Sequence, residues 1–338
     1  MNDALRVVSI GGGNGLSTLL HGLKLYSQAP TPGSPRIDIT AIVTVTDDGG
    51  SSGRLRRDFD VLPPGDIRNC MVALSEDEAL LARLFQYRFK AGRGLKGHSF
   101  GNLFLTALTS ITGDFSDAVR KSAEVLNIAG RIFPSTAANV TLEAVLDNGR
   151  VVAGESRIGR SRRPIVRVRM IPAGARPVRD AVKALEAADL ITLGPGSLFT
   201  SVIPNLLVKG IARAIRQSPA PKAYFVNLMS QPGETTSFAA SDHVRALLEH
   251  AGGALIDYAV VSTTRVPPAL RTRYAEQNAA PIVNDAEAIR ALGVGVIEAD
   301  LLQRGVKVRH NSAAVARVVA ELACEGRRRR ERSVRTPV

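Results

Sequence analysis

Apolar residues along this chain fall mostly in short unbroken runs separated by helical repeats. Leu5, Val7, Val8 and Ile10 form the first run, and Leu16, Leu19, Leu20 and Leu23 follow at helical spacing after GGGNG. That order predicts strand, glycine turn and helix. A proline-rich connection, APTPGSP, then leads to IDITAIVTV, a second strand reaching Asp47, which opens a βαβ unit. Residues 66 to 127 read as mostly helical, broken by a loop from Ala91 to His98. Between 139 and 169 apolar and polar positions alternate around Asp147, Asn148 and Gly149, which predicts a β-hairpin insertion. Beyond 177 the pattern predicts a helix to Ala187, strand Leu190 to Leu193, helix Leu206 to Ile215, strand Ala223 to Leu228, helix Ser241 to His250 and strand Tyr258 to Ser262. Helix and strand in alternation make this an α/β chain with a mainly parallel sheet flanked by helices.

The length of 338 residues suits one large α/β unit or two joined lobes. We expect a single domain over 1–326 with the β insertion at about 139–169. A hydrophobic share of 45% and a charged share of 22% are those of a folded protein. No apolar run is long enough for a membrane helix, and Met1 leads straight towards a strand without a signal-peptide layout. The expectation is a cytoplasmic protein. Cys70 and Cys324 lie far apart without partners at metal spacing, so both are expected to be plain thiols. The net charge is +13, and most of it sits in RIGRSRRPIVRVR (157–169) and in the tail RRRRERSVRTPV (327–338). The rest is nearly neutral, which disfavours a nucleic-acid groove spread over the fold. The tail is expected to be disordered and solvated, with contact to an acidic partner, RNA or anionic lipid as the alternative.

In open parallel sheets the chemistry lies in the loops after the strands. The first such loop, Gly11, Gly12, Gly13, Asn14 and Gly15, either makes a tight turn or lets a phosphate approach backbone N–H groups at a helix start. It is not G-x-G-x-x-G, because Leu16 occupies the third glycine's place, and it has no P-loop lysine. The second loop, TDDGGSSGRLR, sets Asp47 and Asp48 after strand two; these acids suit a ribose, a metal, an attacking hydroxyl or a cap. PPGDIRN offers Asp66, Arg68 and Asn69 at a helix start, and GRGLKGHSFGN adds Lys96, His98 and Asn102. The acids and His98 are the catalytic candidates, Asp47, Asp66 and His98 foremost. A second glycine turn follows a buried strand at LGPGSLFTS, bringing Gly194, Pro195, Gly196 and Ser197.

The ordered set GGGNGLSTLLHGLK, VTVTDDGGSSGRLR, PPGDIRN, GHSFGNLFL, LGPGSLFTSVIPNLLV and YFVNLMSQPGETT resembles the YvcK proteins, bacterial factors often labelled gluconeogenesis factors, of the CofD-like superfamily. The similarity runs over roughly residues 5 to 320. It implies a Rossmann-like fold that binds UDP-sugars, notably UDP-N-acetylglucosamine, and influences carbon use, envelope growth and cell shape. The CofD branch transfers a phospholactyl group from a nucleotide-activated donor, with metal assistance through acids. By the resemblance Gly11 to Gly15 and Gly194 to Ser197 are phosphate-side loops, Asn227 belongs to a shared motif, and Asp47 and Asp66 match acids that can hold a metal. Tyr274 (TRYAEQ) and Arg309 (VRHNS) match a ligand-pocket tyrosine and arginine, suited to stacking on uracil or sugar and to a diphosphate. Asn14 stands where many relatives carry Thr or His, and the arginine tail is outside the shared pattern.

Three readings follow. A UDP-sugar-binding regulator without turnover leads, with regulatory protein partners, a possible homo-oligomer, no required cofactor and Mg2+ as a candidate ion. A CofD-type transferase is second. An NAD-dependent dehydrogenase is third, because the dinucleotide fingerprint fails and fold analogy alone cannot supply a function.

Overall fold

The computed structural model describes residues 4–28, 34–76 and 80–335, with side chains to residue 332. Its strands are β1 (Leu5–Gly11), β2 (Ile37–Val43), β3 (Arg131–Pro134), β4 (Thr141–Leu146), β5 (Val151–Ala153), β6 (Ile165–Ile171), β7 (Leu190–Leu193), β8 (Lys222–Phe225), β9 (Tyr258–Ser262) and β10 (Gly295–Ala299). Seven of them form one sheet in the order β3-β2-β1-β7-β8-β9-β10, every neighbouring pair parallel. β1 runs beside β2 from Leu5 opposite Ile37 to Gly11 opposite Val43, and beside β7 from Val7 opposite Leu190. Helices cover both faces, which is why β1, β2 and β7 are buried at nearly every position instead of alternating. The other three strands, β5-β4-β6, make the small antiparallel sheet expected near 139–169, one strand more than a hairpin and ending at Ile171. Its inner residues Leu142, Ala144, Leu146, Val168 and Met170 join the same hydrophobic core as the large sheet.

Three expectations change. The second loop folds into a helix, Gly50–Phe59; its Gly-Ser-Ser-Gly start reads as a loop, yet Ser51, Ser52 and Leu55 are buried. The single helix expected over Leu206 to Ile215 is two, Ile203–Leu207 and Ile211–Gln217; the helical run Leu198–Leu207 meets the second at about 80° where Gly210 turns at φ 107. The arginine tail is helical as far as it is described, because Ser312–Arg335 is one helix. Arg327 and Arg330 reach the buried carboxylate of Asp189, at 2.8 and 3.2 Å, and Arg6 approaches the same group at 3.5 Å. Guanidiniums neutralising a buried acid, and not periodicity, hold the tail down. Among the described residues no single helix is long and apolar enough to cross a membrane.

Candidate functional site

From β1 the chain proceeds to β2 on one side, and from β7 it proceeds to β8 on the other. β1 and β7 therefore flank the point where the winding reverses, and the crevice beyond their carboxyl ends is where open sheets bind ligands. Both glycine turns open there. Gly194 N–H donates to Ile10 O (2.8 Å) and Thr44 N–H to Gly11 O (2.9 Å), which fixes the strand ends. Asn205 Nδ2 spans the two turns by donating to Gly11 O (3.2 Å) and Ser201 O (2.8 Å).

The turns touch. A β-carbon on Gly15 would sit 2.2 Å from Pro195 O, and one on Gly12 would sit 2.6 Å from Asp66 Oδ2. Only glycine permits such an approach. Above them lies a cavity of about 410 Å³, walled by Gly12 to Gly15 and Thr18, by Pro195, Gly196, Ser197 and Ser201, and by Asn227 to Met229, Gln231 and Glu155. Val308, Arg309 and His310 close the remaining side. Gln231 Nε2 donates to Ser197 Oγ (2.7 Å) and Asn227 Nδ2 to Gln231 Oε1 (3.4 Å), so the β8 loop braces the second turn. That turn leads into one π-helical turn, Leu198–Val202, a distortion common at functional sites.

Each turn's helix start carries a carboxyl. Asp66 accepts from Gly13 N–H, and burial together with the Asp47 charge raises its pKa to about 7. Thus Asp66 caps the glycine-turn helix and not its own. Glu234 accepts from Phe199 N–H and from Thr200 Oγ1 (3.3 Å), and burial raises it to about 7. Glu155 accepts from Thr46 Oγ1 (3.2 Å) and is pushed well above the usual carboxylate range by burial and then by Asp66 and Asp47. Arg309 is exposed, and its guanidinium has no hydrogen-bond or ion-pair partner among the described residues. His310 donates from Nε2 towards Val226 O (3.2 Å), and burial lowers it to about 4, so it is neutral near pH 7.

The structure gathers Gly12, Gly13, Asn14, Gly15, Pro195, Gly196, Ser197, Asn227 and Arg309 around the cavity. Gly11 and Gly194 frame it from the strand ends. The other sequence candidates lie off its wall. Tyr274 lends its hydroxyl to Val308 N–H (3.2 Å) and its ring to the Arg273 guanidinium, 5.4 Å away, so it holds the loop that carries Arg309. Asp48 Oδ1 accepts from Ser156 N–H (2.7 Å), tying down the β insertion, and Asp47 Oδ1 accepts from Gly49 N–H (2.8 Å). Arg68 donates to its neighbour Asn69 (2.6 Å), His98 Nδ1 pairs with Ser51 Oγ (3.0 Å), and Asn102 donates to Ser52 Oγ (3.3 Å). Lys96 is exposed on the preceding loop. These residues knit the helices beyond β2. Sequence reasoning missed Glu155 and Glu234: Glu155 lies in an ordinary-looking GESRIG, while Glu234 sits inside the quoted motif QPGETT.

As to metal, Asp47 and Asp66 interact electrostatically, but among the described residues no group of three His, Cys, Asp or Glu is placed to hold an ion. The protein alone supplies two carboxyls, and phosphate oxygens of a ligand would have to complete any coordination shell.

The fold and crevice define a Rossmann-like α/β protein with an open cavity at the switch point of its sheet. The family model described as 2-phospho-L-lactate transferase CofD matches residues 7–302. The gluconeogenesis factor of Halalkalibacterium halodurans is 45% identical over 316 residues, covering 93% of this chain and 95% of that protein. That of Bacillus subtilis is 44% identical over 326 residues, covering 96% and 100%. A crystal structure of a Bacillus halodurans protein superposes with a TM-score of 0.89 at 44% identity over 94% of this chain and 99% of that one. Another, described as a member of the UPF0052 family, gives 0.88 at 45%, covering 94% of this chain and 98% of its own. The chain belongs to the CofD family, on its gluconeogenesis-factor branch.

Proposed function

We propose that this protein is a cytoplasmic regulator that binds a nucleotide sugar of the UDP-N-acetylglucosamine type and passes on carbon and envelope-precursor status to protein partners. The observation that carries the reading is the apposition of two glycine turns at the switch point, with the unpaired Arg309 opposite. Backbone N–H groups at two helix starts and one guanidinium suit a diphosphate. Asp66 and Glu234 would repel it if fully ionised, but their raised pKa values keep much of each protonated near neutrality. Relatives described as gluconeogenesis factors support the carbon-metabolism side.

A CofD-type transferase is the second reading, favoured by the acids Asp47, Asp66 and Glu155 about the crevice and by the description of the matching family. In it Asp47 and Asp66 would hold a divalent ion against the diphosphate and neutralise its charge. Thermal unfolding with UDP-N-acetylglucosamine and with NAD tests the main reading. Ligand at about 100 times its dissociation constant should add about 2.7 kcal/mol, for the sugar nucleotide only. Stabilisation by NAD alone would contradict it, and a product appearing on long incubation with magnesium would move the protein to the transferase reading.

A further inference from the structure

A second cavity, of about 350 Å³, opens beyond the carboxyl ends of β8 and β9 and shares Asn227 and Leu228 with the first. Its floor is apolar, from Val226, Val266 and Ile282. Its rim bears Arg265 and Arg271, both exposed and without a hydrogen-bond or ion-pair partner among the described residues. The polar groups between them are partly committed. Asn284 donates its amide to Ser262 O, which leaves its Oδ1 to accept. Ser262 Oγ accepts from the N–H groups of Thr264 (3.4 Å) and Leu301 (3.3 Å), which leaves its own proton to donate. The cavity thus combines an apolar floor, planar cations and a mixture of donors and an acceptor. The opposite end of the crevice differs: Glu155 lines it, with Asp66 just under the first turn.

We propose that the cavity beyond β8 and β9 receives the nucleobase of the ligand, and that the sugar lies at the acid-lined end over Glu155. The inference rests on the nucleotide-sugar reading and adds the ligand's direction to it. A flat base packs on an apolar floor and stacks on guanidinium planes. Uracil presents acceptor, donor and acceptor along one edge, which a guanidinium, Asn284 Oδ1 and the Ser262 hydroxyl complement. Sugar hydroxyls are donors, which carboxyl groups accept. With the diphosphate on the glycine turns, Asn227 and Leu228 form the shared wall along which the nucleoside passes.

The test is calorimetric titration of UDP, UDP-N-acetylglucosamine and GDP into the full chain and into the double variant Arg265→Ala/Arg271→Ala, with thermal unfolding as the folding control. Both arginines are exposed, so the variant should melt with the parent. The proposal predicts that UDP and UDP-N-acetylglucosamine weaken by the same factor, about ten-fold or more, and that the preference for UDP over GDP narrows. Loss confined to UDP-N-acetylglucosamine would put the sugar in this cavity and overturn the orientation, as would unchanged affinity for both. If the parent protein binds neither uridine nucleotide, the nucleotide-sugar reading itself fails, and the orientation falls with it.

Discussion

At position 15 a single methyl group would drive into Pro195 O at 2.2 Å, and the neighbour is backbone, which cannot swing aside. Gly15→Ala should therefore push the two turns apart, costing about 1–3 kcal/mol of stability and weakening UDP-sugar binding even at temperatures where the variant is folded. Unaltered affinity in a folded Gly15→Ala protein would show that the contact between turns is not needed. Tyr274 offers a sharper separation of roles. Its hydroxyl meets Val308 N–H beside Arg309, so Tyr274→Phe should lower affinity although the ring remains. Stacking on the ligand would instead leave Tyr274→Phe intact and make only Tyr274→Ala weak. These two positions also mark what single residues disclose. Gly15 is legible because a glycine cluster after a strand has few uses, and Tyr274 only because TRYAEQ belongs to a shared pattern. Glu155 gives no signal, since nothing local distinguishes an acid that tertiary packing will carry under a loop 109 residues away.

The elements that matter most are the two helices that start at the glycine turns, each with a carboxyl taking an N–H group at its start. For Glu234 the native pKa of about 7 lies above the ordinary value of 4.5. The folded state therefore keeps a proton that the unfolded chain releases, and stability falls as pH rises from about 4.5 through about 7. Glu234→Gln removes that titration. Its stability by urea unfolding should match the parent's near pH 4.5 and exceed it above pH 7, by about 3 kcal/mol at most. A variant less stable than the parent at pH 8 would mean that the ionised form is the one the fold requires. Element by element, the sequence pattern finds β1, β7, β9 and the helices of 66–127, because buried parallel strands and amphipathic helices write distinct periods. It misses the helix Gly50–Phe59 because Gly49, Gly50, Ser51 and Ser52 have loop composition. Packing of Ser51 against His98 and Ser52 against Asn102, both distant in sequence, overrides propensity there.

On the scale of the molecule, one reversal of winding between β1 and β7 sets the site, and the long C-terminal helix Ser312–Arg335 ties β1 and β7 together at their other end through Asp189. Replacing Arg327 and Arg330 by Ala leaves that buried carboxylate with Arg6 as its one cationic partner among the described residues. Thermal unfolding should report a loss of about 2–3 kcal/mol, while UDP-sugar affinity stays unchanged because the pairing lies at the far ends of the strands. A fall in affinity without a fall in stability would show that the tail reaches the ligand. The succession of elements was legible as a βαβ start followed by alternation, but the order of strands in the sheet was not, because the pairing of β1 with β7 joins residues about 180 apart. The central claim is that a sugar nucleotide sits on the two turns beneath Arg309. Calorimetric titration of UDP-N-acetylglucosamine into the parent and into Arg309→Ala tests it most directly. The account predicts saturable one-to-one binding by the parent and a loss of about 1.5–3 kcal/mol in the variant, with thermal stability unchanged. Equal affinity in both proteins would contradict it.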